Sequence, residues 1–184
     1  MRIIAGRFRG LALASVGKGD AGAHLRPTTD RVRESLFSML SGGRFGDPIE
    51  GARVLDLFAG TGALGLEALS RGADHVTFVD DGRKAMSLIR ANVAKCRCVD
   101  EVTVVKRDAT RLPEGQPHNL VFLDPPYGKG LGEKALDAAI KGGWIAPDAL
   151  VVWEDSAPIT LPDGFELLDT RRYGDTVISI LKHG

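Results

Sequence analysis

From residue 53 onward, short apolar runs alternate with segments of helical period. RVLDLF, HVTFV, EVTVV, NLVFLD and ALVVW read as strands. Between them GALGLEALSRG, RKAMSLIRANVAK and GEKALDAAIKGG read as helices, and Gly72 follows the basic last turn of the first. Strands this continuously apolar must be covered on both faces, which predicts a mostly parallel, doubly wound sheet. The end of the chain differs. FELLDTRRYGDTVISILKH is two strands about a Gly-Asp turn, an antiparallel hairpin at the sheet edge and the last two of seven strands. Ahead of the core, RIIAGRFRGLALASV reads as two short strands paired as a hairpin, bending at Gly6 and Gly10. TTDRVRESLFSML is a helix capped by Thr28, Thr29 or Asp30, with Val32, Leu36, Phe37 and Leu40 on one face. The chain thus divides into an extension, residues 1–44, and an α/β core, residues 45–184.

Composition changes this picture little. The apolar share of 43% and charged share of 26% suit a globular domain of 184 residues. No apolar run reaches the roughly 18–20 residues of a membrane span, and the N-terminus lacks a signal-peptide core. Cys96 and Cys98 form neither a disulfide framework nor a zinc site. His24, His75, His118 and His183 are scattered, so no metal is expected. These features suggest reducing cytoplasm and no membrane partner. Charge adds more. The chain is neutral overall, but residues 1–44 hold eight basic residues against three acidic ones. That asymmetry suggests an arm that binds a polyanion, with Arg2, Arg7, Arg9 and Arg33 as candidates.

The chemistry gathers where the predicted strands end. In an open α/β sheet, ligands bind outside the carboxyl ends of the strands. Gly60, Gly62 and Gly65 match G-x-G-x-x-G, and Asp80 ends the second strand, where an acid can hold ribose hydroxyls. That much fits NAD, FAD or S-adenosylmethionine. Asp56, four residues before Gly60, breaks the tie: a carboxylate there repels a pyrophosphate and suits an ammonium. Asp108, after the third strand, can accept from an adenine amine, with the Ala109 amide beside it. After the fourth strand come Asp124-Pro125-Pro126-Tyr127. Proline stops a ladder and stiffens what precedes it. The Asp124 carboxylate and Pro125 carbonyl are then two rigid acceptors for a flat exocyclic amine, with Tyr127 stacking on its base. Trp144 and Trp153 read as packing residues.

With these residues in view, the chain resembles the RsmD family of bacterial 16S ribosomal RNA guanine-N2 methyltransferases. The resemblance runs nearly end to end, through MRIIAGRFRG, RPTTDRVRESLFSML, VLDLFAGTGALGLEALSRGA, FLDPPY and YGDTVISIL. It implies a Rossmann-like, S-adenosylmethionine-dependent methyltransferase fold. Asp56, Phe58, Gly60, Thr61, Gly62, Asp80, Asp81, Asp108 and Ala109 would line the cofactor pocket, with Arg26 and Thr28 beside the methionine end. Asp124, Pro125, Pro126 and Tyr127 would hold the target amine. The N-terminal hairpin and Lys129 would contact 16S rRNA or an assembling small subunit, the protein acting as a monomer. For Arg26, Thr28 and Arg33 the competing reading is a helix cap and surface salt links. Asp80 departs from the family's usual Glu, so ribose contact could involve Asp81 or a water. DPPY alone is shared with DNA adenine-N6 methyltransferases, the alternative reading, but those normally carry a separate recognition domain.

Overall fold

Strand-forming runs without polar alternation need cover on both faces, and four helices among the described residues supply it. The computed structural model describes residues 1–15 and 28–184. Its elements in chain order are α1 (Asp30–Leu40), β1 (Arg53–Leu57), α2 (Ala63–Ser70), β2 (His75–Asp80) and α3 (Arg83–Cys96). After a 3-10 turn at Val99–Glu101 come β3 (Val102–Lys106), β4 (His118–Leu123), α4 (Leu131–Lys141), β5 (Ile145–Asp155), β6 (Phe165–Tyr173) and β7 (Thr176–His183). They build one seven-stranded sheet of order β3-β2-β1-β4-β5-β7-β6. β1 to β5 are parallel, β7 runs antiparallel to β5, and β6 pairs antiparallel with β7. This is the doubly wound, mostly parallel sheet expected from the strand–helix alternation, and the Rossmann-like methyltransferase fold that the resemblance implies. The order reverses between β1 and β4, so the crevice for a ligand opens there.

The two faces carry separate cores. Val54, Val76, Phe78, Leu120 and Phe122 pack with Leu36, Phe37 and Leu40 of α1 and with apolar residues of α2 and α3. The Phe37 and Phe122 rings meet at 5.7 Å between centroids. On the other face Leu55, Leu57, Val121, Leu123 and Trp153 pack with Ala135, Leu136 and Ala139 of α4. Ile3 and Leu13 join the first core, so the N-terminal segment is packed onto the body of the molecule. Its hairpin is shorter than expected. One antiparallel bridge, Arg2 with Ala12, holds it, with Ile3 N–H bonded to Leu11 O at 3.0 Å. Further pairing is lost because Ile4 N–H and Ala5 N–H donate to the Glu67 carboxylate of α2, and Ala5 O accepts from the Ser70 hydroxyl. α1 starts at Thr29, whose hydroxyl accepts from Val32 N–H at 3.2 Å. Both cysteines are free and buried.

His118 opens β4 in a buried setting. Its Nδ1 lies 3.0 Å from Trp144 O and its Nε2 lies 2.9 Å from Thr77 Oγ1. The neutral ring serves both: Nδ1–H donates to the carbonyl, and Nε2 accepts from the hydroxyl. Burial, above all, lowers its pKa from 6.5 to about 4. Between those values the unfolded chain binds a proton that the folded chain refuses, so stability drains away as pH falls from 6.5 through 4. The stability gap between the parent and His118→Gln should therefore narrow by about 2–3 kcal/mol between pH 7.5 and pH 4. Urea melts at the two pH values measure it; a constant gap would show that the folded ring protonates normally.

Candidate active site at the carboxyl ends of the strands

The turn from β1 into α2 is built on left-handed backbone. Phe58, Gly60 and Gly62 have φ of 57°, 60° and 82°. Gly62 is the helix N-cap in that conformation, which L side chains rarely adopt. Gly65 answers a different need. A Cβ there would stand 2.6 Å from the Phe78 ring and 2.7 Å from Val76, so only glycine lets α2 sit this close to β2. Thr61 turns its side chain inward. Its hydroxyl accepts from Ala63 N–H at 3.3 Å and faces Met1 Sδ at 3.6 Å.

Asp56 and Asp80 hold this turn, and Asp108 stands beyond the end of β3. Asp56 is buried and accepts from Gly65 N–H at 3.0 Å, filling one unpaired amide of the first turn of α2. Burial holds its carboxyl well above the ordinary carboxylate range, against the Gly65 bond and with help from Asp80. Asp80 accepts from Gly60 N–H at 3.0 Å and from Gly82 N–H at 2.9 Å, so it joins the glycine loop to the start of α3. Burial raises its pKa despite those two bonds. Each of its oxygens keeps a second lone pair. Asp81 beside it is exposed. Asp108 is half-buried and accepts from Thr110 Oγ1 at 2.7 Å and Thr110 N–H at 2.9 Å; these bonds hold its pKa low. Ala109 is buried next to it.

The register places the fourth loop against the first. Leu57 pairs with Leu123 and with Val79, so Asp124, Phe58 and Asp80 follow in line at three neighbouring strand ends. Asp124 N–H lies 3.4 Å from Leu57 O. Pro125 is buried; Asp124, Pro126 and Tyr127 are half-exposed. The Tyr127 hydroxyl lies 3.5 Å from Thr176 Oγ1, at the start of β7. Lys129 is exposed just beyond. Thr28 is half-buried and donates to Glu154 of β5 at 3.3 Å. Arg26 lies outside the described residues. No cluster of metal-ligating side chains occurs among the described residues. Nor is any helix there long and apolar enough to cross a membrane.

A family model described as conserved hypothetical protein 95 matches residues 1–182. The chain is 39% identical over 163 residues to ribosomal RNA small subunit methyltransferase D of Escherichia coli (strain K12), covering 88% of this chain and 78% of the relative. It is 36% identical over 181 residues to the protein of the same name from Haemophilus influenzae, covering 95% and 89%. Among solved structures it is similar to yhhF from Escherichia coli, with a TM-score of 0.84, 37% identity, and coverage of 100% of this chain and 97% of that one.

The basic residues of the extension divide. Arg7, Arg9 and Arg2 are exposed; Arg7 pairs with Glu101 at 2.7 Å, and Arg2 Nη1 donates to Gly10 O at 2.8 Å. Arg33, expected on the RNA-facing surface, is instead fully buried. It pairs with Glu67 of α2 at 3.4 Å and with Asp30 at 2.9 Å, and donates to Arg2 O. A guanidinium in a core needs such partners, and Glu67 was the one that sequence reading missed. The signal was an acid inside the otherwise apolar run GALGLEALS. The Glu67 carboxylate also accepts from Ile4 N–H at 2.9 Å, Ala5 N–H at 3.1 Å and Arg71 Nε at 2.9 Å. Glu67→Gln removes the charge opposite Arg33 and sets an NH2 group among donors. It should cost about 3–5 kcal/mol in denaturant melts. A loss under 1 kcal/mol would mean that packing alone seats the segment.

Proposed function

From the premise that the chain belongs to the conserved hypothetical protein 95 family, the RsmD family, we propose that it methylates the exocyclic N2 of a guanine in 16S ribosomal RNA, using S-adenosylmethionine. Its curated relatives are named ribosomal RNA methyltransferases, and the fold is that of methyltransferases. The observation that carries the finer reading is the register between β1 and β4. It sets an acid-Pro-Pro-Tyr loop beside a glycine loop ringed by acids.

The residues present fit the cofactor. A ring of carboxylates around left-handed glycines disfavours a dinucleotide pyrophosphate. It suits an ammonium at Asp56, ribose hydroxyls at Asp80 or Asp81, and an adenine amine at Asp108. When bound, S-adenosylmethionine supplies an electrophilic methyl carbon. The chain's own residues prepare the nucleophile. The lone pair of a guanine amine is delocalised into the ring, so the nitrogen is flat and weakly nucleophilic. Asp124 and the Pro125 carbonyl accept its two hydrogens and favour a tetrahedral nitrogen with its lone pair exposed. Tyr127, steadied at its hydroxyl by Thr176, presents its ring to the base. Asp124 also takes the proton that the amine must lose. DNA adenine-N6 methylation is the less favoured reading, because the family's named members act on ribosomal RNA.

Two measurements test the assignment. Asp124→Ala should lower methyl transfer to 16S RNA by about 10²–10³, the usual loss for one positioned polar group. Its affinity for S-adenosylhomocysteine by calorimetry should stay within about threefold. Near-normal turnover would remove Asp124 from the chemistry.

The second concerns the extension, read as the RNA-binding arm. Changing Arg7 and Arg9 together to Ala should weaken RNA binding at all sequences alike. It should also flatten log affinity against log salt by about 1–2, roughly 0.7–0.9 per phosphate contact. The lost Arg7–Glu101 pair is solvent-exposed, so the thermal melt should barely move. An unchanged salt slope would make the arm structural.

A further inference from the structure

The buried face of α3 is apolar at Ala85, Met86, Ile89, Val93 and Cys96, yet Asn92 stands in the same face, with no exposure at all. A carboxamide in such a slot costs free energy unless its donors and acceptor are all engaged. Here they are. Nδ2 donates to Thr61 O at 2.9 Å and to Ala14 O at 3.0 Å, and Oδ1 accepts from Ala14 N–H at 2.7 Å. Thr61 is the middle residue of Gly60-Thr61-Gly62. Glycines on both sides give its peptide groups wide conformational freedom. Asp80 restrains one side of the turn through the Gly60 amide, and Asn92 restrains the other through the Thr61 carbonyl.

We propose that Asn92 is a positioning residue for cofactor binding. By holding the Thr61 carbonyl, it fixes the Thr61–Gly62 peptide, whose N–H donates to Ala59 O at 2.8 Å, and so the course of the loop backbone past the ligand. Asn92 does not touch the ligand; it acts through the loop backbone. The bonds to Ala14 complete its hydrogen bonding and seat the N-terminal segment, but the functional bond is the one to Thr61. The inference rests on the glycine loop being the S-adenosylmethionine cradle.

The test compares Asn92→Asp, Asn92→Ala and Ala14→Pro with the parent. Aspartate keeps the side-chain shape and the acceptor for Ala14 N–H, but loses both donated bonds. Proline at residue 14 removes only the N–H that Asn92 accepts and leaves the Thr61 bond in place. Calorimetry with S-adenosylhomocysteine, KM and kcat for methyl transfer, and a thermal melt are measured for each. Both Asn92 variants should bind S-adenosylhomocysteine about tenfold more weakly, the loss of roughly one hydrogen bond's worth of order. KM for S-adenosylmethionine should rise in step while kcat at saturation stays within about twofold. Ala14→Pro should lower the melting temperature and leave that affinity within about twofold. The proposal is overturned if the parent binds S-adenosylhomocysteine and Asn92→Asp, folded by its melt, binds it equally well. It is overturned too if Ala14→Pro loses as much affinity as Asn92→Asp, since the segment would then be the cause. A parent that does not bind S-adenosylhomocysteine removes the reading of the loop itself.

Discussion

The Glu67 carboxylate is the fixed point of the molecule. A carboxylate in a helix buried along its whole length must find donors, and this one finds four. Two come from the backbone of the N-terminal segment, one from Arg33 of α1, and one from Arg71 just past the end of α2. The requirement runs both ways. Arg33 could not be buried without it, and the segment's amides would lack partners over an apolar helix. One desolvated charge thereby decides where two elements distant in sequence must dock. This docking leaves Arg2, Arg7 and Arg9 of the segment exposed, against a body whose remaining charge is net acidic.

The same logic shapes the strand ends. Asp56 and Asp80 are acids kept in surroundings that disfavour their charge, and each is used first to hold backbone. Asp56 stops an amide of α2, and Asp80 bridges two loops. Their raised pKa values follow from burial, which the amide bonds only partly offset. A cationic or hydroxyl-bearing ligand would relieve that cost by meeting the carboxylates, whereas an anionic one would add to it. Asp108 differs, because Thr110 supplies both a hydroxyl and an amide and keeps the carboxylate ionised.

Much of this was legible in the chain. Strand and helix periods are local, so the alternation, the parallel core, the antiparallel terminal pair and the helix at TTDRVRESLFSML could be read directly. So could the glycine turn and the proline-stiffened loop, since φ restrictions belong to single residues. The packing roles of Trp144 and Trp153 followed from their apolar bulk, and both are buried. Tertiary structure decided the rest. Whether an arginine on a helix faces solvent or core depends on a partner 34 residues away, which is why Arg33 left the candidate surface. The N-terminal hairpin shrank to one bridge because Glu67 took the amides of Ile4 and Ala5 and Ser70 took the Ala5 carbonyl. The place of Asn92 is set by Thr61 and Ala14, 31 and 78 residues away in sequence. Periodicity and backbone stereochemistry are written residue by residue; the destination of a hydrogen bond or a charge is set only when distant segments pack.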